Sequence, residues 1–265
     1  MKNFKDKVII ITGASSGIGR ELSIQLSEKG AQLSLAARNE IKLNEVAEKC
    51  KMNSNNVIAI TTDVSKKEDC KNLIEQTINK LGKIDILINN AGITMWTLFE
   101  DITNIDLVEK IMSVNYLGSV YCTHFALPYL KRSKGSIVGI SSLTGRTGVP
   151  TRTAYAASKF AMTGFFDSLR IELKNSGVGV TMIYPGFVNT EIRGKELGAD
   201  GEQIGVNNLK DAKTMDVKTC VNIIVKAIAK RKREVVMTLI GKLGLKLKLI
   251  APSLVDNIAQ KAINK

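Results

Sequence analysis

The chain has 265 residues, enough to bury the core of one large α/β domain or of two small ones. With 44% hydrophobic and 24% charged residues, its composition is typical of a folded globular protein and excludes a disordered chain. It contains no apolar run of about eighteen residues and no signal-peptide pattern, so we expect neither a membrane-spanning helix nor a secretory leader.

The formal net charge of +13 is concentrated in the C-terminal fifth of the chain. Residues 210–265 hold 13 Lys and Arg against 4 Asp and Glu, whereas residues 1–209 hold 25 against 21. Such an excess attracts anionic partners, and it also suits a solvated basic surface. No aromatic residues alternate with these lysines, so a platform for stacking bases is absent and we expect no specific nucleic acid partner.

The cysteines and the single histidine offer no chemistry of their own. Cys50, Cys70, Cys122 and Cys220 are scattered and form neither a CxxC pair nor a zinc-binding spacing, so we expect reduced thiols in a cytoplasmic protein and no metal site. His124 has no nucleophile partner in the sequence, so a hydrolytic triad is not expected.

Short apolar segments alternate with segments of helical period along the chain. The apolar segments predict strands over residues 7–12, 31–37, 56–61, 85–89, 136–141, 178–184 and 234–238. The periodic segments predict helices over residues 17–29, 40–52, 66–81, 105–131, 153–175 and 216–230. This alternation predicts an α/β fold with a parallel sheet and helices on both faces, and no linker divides the 265 residues into domains.

Two segments depart from this rhythm. Residues 186–215 are rich in glycine and polar groups after a strand end, which predicts a mobile lid over a substrate site. Residues 239–265 form a basic C-terminal extension in which leucines alternate with lysines, a pattern that fits either a strand or one face of a helix. As a helix, limited by Pro252, this extension could pack on the lid or another subunit, or lie on a membrane surface.

A glycine-rich turn follows the first strand. In TGASSGIGRE the glycines have the spacing G-x3-G-x-G between a strand and a helix, so the backbone can approach a pyrophosphate at the helix N-terminus. The residues that this turn would use to bind a dinucleotide are Gly13, Ser15, Ser16, Gly17, Ile18 and Gly19.

The end of the second strand indicates which dinucleotide the site prefers. NAD-selective sites commonly place an acid at this strand end, but here Ala37 occupies the position and Arg38 follows it. Arg38 could hold a 2′-phosphate, and Ser15 could add a hydroxyl, so we predict NADP(H). The alternative is a solvated arginine at a strand end.

Tyr155 and Lys159 lie four residues apart in RTAYAASKFA, on one face of a predicted helix. A nearby ammonium favours the phenolate, so we expect the pKa of Tyr155 to be lowered and the phenol to exchange protons near neutral pH. Ser142 ends the strand over 136–141 at the carboxyl edge of the sheet, where its hydroxyl can hold a carbonyl oxygen beside the phenol. Any Tyr–Lys pair at this spacing could also be surface decoration.

Taken together, the segments TGASSGIG, NNAG, YAASK and YPG, with Asn115 and Ser142, resemble the short-chain dehydrogenase/reductase family, in family order from residue 7 to about 190. The resemblance implies a Rossmann-like doubly wound seven-stranded parallel sheet in the order 3-2-1-4-5-6-7. It also implies an oxidoreductase that interconverts a carbonyl and a secondary alcohol, with hydride from NADPH and the proton from Tyr155.

The resemblance also assigns roles to individual residues. Tyr155 would be the general acid and base, Lys159 would bind the nicotinamide ribose and lower the pKa of the phenol, Ser142 would orient the substrate, and Asn115 would hold a relay water. Contacts to the cofactor would come from Asp63, Val64, Asn89, Ala91, Gly92, Pro185, Gly186, Val188 and Thr190.

The substrate and partners are less constrained. The helix over 153–175 and the basic tail are similar to those of membrane-associated steroid- and lipid-type reductases, which implies a hydrophobic substrate, although we expect no N-terminal anchor ahead of the first strand. The tail leaves peripheral membrane contact open, and the family implies a homodimer or homotetramer. One alternative is a 3-oxoacyl-thioester reductase served by an acidic carrier protein, and another is a non-catalytic NADP-binding or membrane-surface module.

Overall fold

The computed structural model describes residues 4–54, 56–205 and 214–261. Its strands form one seven-stranded parallel sheet in the order β3-β2-β1-β4-β5-β6-β7, which confirms the predicted topology. The strands are Val8–Thr12 (β1), Gln32–Ala37 (β2), Val57–Thr61 (β3), Ile86–Asn89 (β4), Ser136–Ile140 (β5), Gly179–Tyr184 (β6) and Glu234–Val236 (β7). The strand order reverses between β1 and β4, and this reversal opens a crevice at their carboxyl ends.

Helices cover both faces of the sheet, because the strands are apolar on both sides and each face must be buried. The helices are Gly17–Ser27 (α1), Glu40–Lys51 (α2), Lys67–Leu81 (α3), Asp106–Met112 (α4), Gly118–Ser133 (α5), Thr153–Glu172 (α6), Val217–Ala229 (α7), Leu239–Lys248 (α8) and Pro252–Lys261 (α9). One layer contains α1, α2 and α7, and the opposite layer contains α3, α5 and α6.

The helix predicted over 105–131 is interrupted. Between α4 and α5 the backbone forms a π-helical turn over Ser113–Leu117 that contains Asn115. A π turn inserts one extra residue into a helix and is frequent at functional sites, since it changes the direction of the side chains it carries. Hydrophobic periodicity does not reveal such an insertion, so the sequence predicted one continuous helix.

The basic extension is helical, which settles the choice between strand and helix. Thr238 caps α8 by accepting a hydrogen bond from the backbone N–H of Gly241, and Pro252 begins α9 at a position where its missing N–H costs nothing. These two helices expose a large apolar surface, which we call the C-terminal face: Leu239, Ile240, Leu243, Leu249, Ile250, Leu254 and Ile258. No helix within the described residues is both long and apolar enough to cross a bilayer.

Candidate active site

A cleft of about 850 Å³ lies at the carboxyl edge of the sheet, over the reversal between β1 and β4. It extends from Arg38 and Asp63 at one end, past Gly92 and Lys159, to Glu196 and Gln203 at the other. Most of the predicted cofactor residues line this cleft: Gly13, Ser15, Ser16, Ile18, Arg38, Asp63, Val64, Ala91, Gly92, Tyr155, Lys159, Pro185, Gly186, Val188 and Thr190.

The glycine turn leaves space that side chains would fill. Gly13 and Gly17 have positive φ angles of 66° and 53°, which other residues rarely adopt. A Cβ at Gly13 would lie 2.9 Å from the Cα of Ala91, and a Cβ at Gly19 would overlap the carbonyl oxygen of Gly13. Gly17 and Gly19 shape the turn without lining the cleft, and the turn therefore presents bare backbone at the N-terminus of α1, a geometry that fits a pyrophosphate.

At the outer end of the cleft, polar groups from two strand ends face each other. Arg38 is exposed directly after β2, and Lys42 on the first turn of α2 lines the same wall. Asp63 follows β3, and its carboxylate accepts hydrogen bonds from the backbone N–H and the hydroxyl of Ser65 at 3.1 and 2.8 Å. This end can therefore hold an anionic group beside Arg38 and a hydroxylated group beside Asp63.

The prediction that Asn89 lines the cleft is wrong. Asn89 is buried, and its amide donates to the hydroxyl of Thr123 on the face of the sheet covered by α5. Side chains alternate between the faces of a strand, so the next residue, Asn90, reaches the cleft instead. Its amide donates to the carbonyl of Thr12 at 2.9 Å and holds the start of the glycine turn.

Tyr155, Ser142 and Lys159 meet in the middle of the cleft. Tyr155 lies on the first turn of α6 and Lys159 one turn later, whereas Ser142 follows β5. The hydroxyl of Ser142 lies close enough to the phenol of Tyr155 to lower its pKa. The ammonium of Lys159 lies 5.8 Å from the centroid of the phenol ring, and it donates to the carbonyl of Ile140 at 3.0 Å. The sequence prediction thus brings these three side chains together correctly.

The predicted direction of the Tyr155 pKa is wrong for this chain. Burial raises the pKa of Tyr155 above its ordinary value, and the charge of Arg152 and the hydrogen bond of Ser142 oppose this increase. The ammonium of Lys159 is directed at the carbonyl of Ile140, and burial lowers the pKa of Lys159 itself from 10.5 to about 8. The spacing of the pair is a local sequence pattern, whereas the direction of the ammonium depends on the folded structure.

The π turn places Asn115 against the loop after β4. Its side-chain oxygen accepts from the backbone N–H of Ile93 at 2.8 Å, and its amide donates to the carbonyl of Ile93 and to the hydroxyl of Ser158. A Cβ at Gly92 would lie 3.3 Å from the Asn115 oxygen and 3.5 Å from the Lys159 nitrogen, so the three residues are packed together. The relay through a water remains a prediction.

The far wall of the cleft comes from the segment predicted as a lid. Pro185, Gly186, Val188 and Thr190 follow β6 and line the cleft, and Leu197 lies at its far end. Leu197 exchanges backbone hydrogen bonds with the segment after β4. Its N–H donates to the carbonyl of Thr94 at 2.9 Å, and its carbonyl accepts from the N–H of Trp96 at 2.9 Å. The part of the predicted lid over 206–213 lies outside the described residues.

Sequence reasoning missed a charged pair in this far wall. Arg152 is 6% exposed and Glu196 is 2% exposed, and both line the cleft. A guanidinium nitrogen (Nη2) of Arg152 lies 2.8 Å from an oxygen of Glu196. The only available signal was an arginine three residues before Tyr155, because no spacing connects that arginine to a glutamate 44 residues later.

Comparison with protein families places these features in context. The family profile described as short chain dehydrogenase matches residues 7–200. The chain is 38% identical over 262 residues to 11-beta-hydroxysteroid dehydrogenase A of Arachis hypogaea, covering 96% of this chain and 75% of that protein. It is 47% identical over 183 residues to 11-beta-hydroxysteroid dehydrogenase-like 4A of Arabidopsis thaliana, covering 69% of this chain and 61% of that protein. The aligned region is thus under two thirds of the latter's length.

Two solved structures share the fold. A short-chain dehydrogenase/reductase of Burkholderia phymatum, in complex with NAD, superimposes with a TM-score of 0.84 at 24% identity and covers 96% of each chain. A short-chain dehydrogenase of Burkholderia cenocepacia, in complex with NADP, has a TM-score of 0.82 at 22% identity and covers 97% of this chain and 98% of that one.

Proposed function

Since the chain belongs to the short-chain dehydrogenase family, and is thereby an oxidoreductase acting on CH–OH groups, we propose that it interconverts a carbonyl and a secondary alcohol on a hydrophobic substrate with NADP(H). The observation that carries this proposal is the meeting of the Tyr155 phenol, the Ser142 hydroxyl and the buried Lys159 in one cleft beside a bare glycine turn. Two relatives named as hydroxysteroid dehydrogenases support a lipid- or steroid-like substrate.

The side chains suggest how the reaction proceeds. In the reducing direction Ser142 and Tyr155 both donate hydrogen bonds to the carbonyl oxygen of the substrate, and negative charge develops on that oxygen as the transition state forms. Tyr155 then transfers its phenolic proton to the oxygen and becomes a phenolate, which the positive charge of Arg152 stabilises. Bound NADPH supplies the hydride to the carbonyl carbon. In the oxidising direction the phenolate of Tyr155 removes the proton of the alcohol.

Replacement of the phenol tests this proposal directly. In Tyr155→Phe we expect turnover of a reducible ketone to fall by roughly 10²- to 10⁴-fold, because general acid–base catalysis contributes that much. NADPH affinity should change little, since the ring remains. The measurement is the steady-state rate of NADPH oxidation with an 11-oxo steroid, and Tyr129→Phe on α5 is the matched control because Tyr129 lies outside the cleft.

The same assay separates the alternatives. A 3-oxoacyl thioester that is reduced faster than the steroid, by a route that Tyr155→Phe also abolishes, would identify a fatty-acid-type reductase within the same chemistry. Dinucleotide binding with no turnover of either probe would instead identify a non-catalytic module. Unchanged turnover in Tyr155→Phe would contradict the catalytic assignment itself.

We propose NADP(H) rather than NAD(H) as the cofactor because Arg38, and not an acid, follows β2 at the outer end of the cleft. Lys42 adds a second cation to the same wall, which suits a 2′-phosphate. The two solved relatives bind different dinucleotides, NAD in one and NADP in the other, so the choice depends on this wall.

We also propose that the protein is cytoplasmic and is held peripherally at an anionic membrane through its C-terminal face. Leu249 and Ile250 are 86% and 85% exposed between α8 and α9, and lysines such as Lys246 lie on α8. Exposed apolar side chains with neighbouring lysines favour the interface of an anionic bilayer. We expect the protein to co-sediment with phosphatidylserine vesicles but not with neutral vesicles. The double variant Leu249→Ser/Ile250→Ser should lose this co-sedimentation, and equal sedimentation of the variant contradicts the proposal.

Self-association is a further expectation of the family, and we propose a homodimer or homotetramer through α6. Ile171 and Phe160 on this helix are 71% and 43% exposed, which leaves apolar surface for a second copy. Sedimentation equilibrium should give two or four chains, and Ile171→Glu should shift the population towards the monomer. A monomer in the unmodified chain would contradict the proposal.

A further inference from the structure

The pair of Arg152 and Glu196 is the most deeply buried salt bridge in the described part of the chain. The side chains are 7% and 3% exposed, and the contact between Nη2 and Oε1 is 2.8 Å. Breaking such a pair leaves an uncompensated buried charge and is costly, whereas pairs of apolar residues can often replace it without loss. A buried pair at a cleft is therefore weak evidence for stability alone, and its position calls for another explanation.

This pair connects the three segments that enclose the far end of the cleft. Arg152 immediately precedes α6, and its second guanidinium nitrogen donates to the hydroxyl of Thr94 at 2.6 Å, in the segment after β4. The guanidinium also lies over the ring of Trp96, 4.7 Å from the centroid. Glu196 belongs to the segment after β6 that forms the far wall, which we call the wall segment. The next residue, Leu197, pairs with the backbone on either side of Met95.

The same guanidinium lies against the proposed proton donor. Its carbon is 5.9 Å from the ring centroid of Tyr155. Burial raises the pKa of Tyr155, the charge of Arg152 lowers it, and the charge of Glu196 raises it. The other groups that face the phenol are the hydroxyls of Ser142 and Thr144 and the ammonium of Lys159, which is directed at the carbonyl of Ile140.

We propose that Arg152 is a positioning residue for Tyr155 and that Glu196 is its counter-ion: together they place a cation against the phenol and fix the wall segment that encloses the substrate. Arg152 takes over the electrostatic task that the spacing of Tyr155 and Lys159 suggested for the lysine. Glu196 limits this effect, because its negative charge partly neutralises the guanidinium.

A second arginine–glutamate pair shows what a purely structural contact looks like here. Arg146 and Glu234 are joined at 2.9 Å, but their side chains are 34% and 38% exposed and neither lines the cleft. Their charges are screened by water, and neither is among the groups that shift the pKa of Tyr155, so removing them should leave the proton affinity of Tyr155 unchanged.

The test measures the ionisation of Tyr155 without any turnover. The inference rests on the proposed function only for the role of Tyr155 as proton carrier, so this readout separates the failure of one from the failure of the other. The chain contains 5 tyrosines, and 13C labelling of the phenol carbon followed by NMR across pH, with Tyr155→Phe to assign the resonance, gives the midpoint for Tyr155 alone. The variants are Glu196→Gln, Arg152→Met, the double variant, and Glu234→Gln as control.

We expect the two single variants to move the midpoint in opposite directions. Glu196→Gln should lower the midpoint of Tyr155 by on the order of one pH unit, because a neighbouring negative charge is removed from a partly screened site. Arg152→Met should raise it, the double variant should lie between the two, and Glu234→Gln should match the unmodified chain. A merely structural role would instead shift both single variants in the same direction, or neither.

Two outcomes overturn the proposal. One is a midpoint in Glu196→Gln that is unchanged or raised, and the other is a double variant that lies outside the range of the single ones. If Arg152→Met does not fold, because Glu196 is left buried and unpaired, then the midpoint of Glu196→Gln against the unmodified chain still decides the question. The pH–rate profile of Glu196→Gln with an 11-oxo steroid should have its ionisation limb displaced in the same direction as the NMR midpoint.

Discussion

The two ends of the cleft are built from different materials. At the cofactor end the wall is largely backbone: the turn over 13–19 has no room for a Cβ at Gly13 or Gly19, and Gly13 and Gly17 have positive φ angles. At the substrate end the wall consists of side chains, in which Arg152 and Glu196 face Tyr155 and are supported by Thr94 and Trp96.

This difference determines how each end responds to substitution. A backbone wall binds through N–H groups that every residue carries, so it fails when any added atom moves the turn. A side-chain wall acts through charge and shape, so a substitution there changes the chemistry while the fold persists. Mutations at the cofactor end should therefore abolish binding, and those at the substrate end should alter pH dependence or specificity.

The largest effect is expected from Gly19→Ala. The new Cβ would overlap the Gly13 carbonyl oxygen, and because that atom is backbone, the turn must shift. A displaced turn would move its backbone N–H groups away from the pyrophosphate, so we expect NADPH affinity to fall on the order of 100-fold, or about 2.7 kcal/mol of binding free energy. Calorimetric titration with NADPH measures the loss, and urea unfolding separates it from instability.

Gly164→Ala is the matched control for this substitution. Gly164 lies within α6, and no atom lies within 4 Å of the position that its Cβ would take. Alanine is favoured over glycine inside a helix by about 1 kcal/mol, so this variant should be slightly more stable and bind NADPH normally. Equal affinities of Gly19→Ala and the unmodified chain would show that the turn does not hold the dinucleotide.

The contrast between the two ends also explains what the sequence could predict. A backbone wall needs glycine at fixed spacing, so the sequence predicts the turn from a local pattern. The alternation of apolar strands with helices likewise predicts the sheet. The side-chain wall depends on residues such as Arg152 and Glu196 that meet only after folding. The π turn at Asn115 and the direction of the Lys159 ammonium towards Ile140 likewise have no periodic signal, which is why the sequence predicted the helix over 105–131 without its π turn and predicted the pKa direction wrongly.

Lys159 stands between the two ends, and its burial has a consequence for stability. Its pKa is lowered from 10.5 to about 8, so between these values the unfolded chain binds more protons than the folded one. The free energy of unfolding must therefore rise with pH in this window. We expect an increase of roughly 2 kcal/mol between about pH 7 and about pH 9.5 from this group, because the buried charge is progressively removed.

Urea unfolding of Lys159→Met isolates this contribution. The variant carries no titrating group at this position, so its stability advantage over the unmodified chain should shrink as the pH rises. Lys174→Met, which removes an exposed lysine after α6, is the control and should run parallel to the unmodified chain. A constant difference between Lys159→Met and the unmodified chain across this window would show that Lys159 is not held in a desolvated site.

The smallest of these effects is expected from Arg38→Asp, which tests the side chain proposed to select the 2′-phosphate. The exposed guanidinium gives at most a charge-assisted hydrogen bond of about 1.5 kcal/mol, so NADPH affinity should fall roughly tenfold. NADH affinity should stay level or rise, because an aspartate can accept hydrogen bonds from ribose hydroxyls. Lys49→Asp, which changes the same charge on the last turn of α2 away from the cleft, controls for long-range electrostatics. If both variants weaken NADPH binding equally, the preference arises from the general positive charge of the chain, and the outer end of the cleft selects no phosphate. If only Arg38→Asp weakens it, selection depends on Arg38 at the outer end of the cleft.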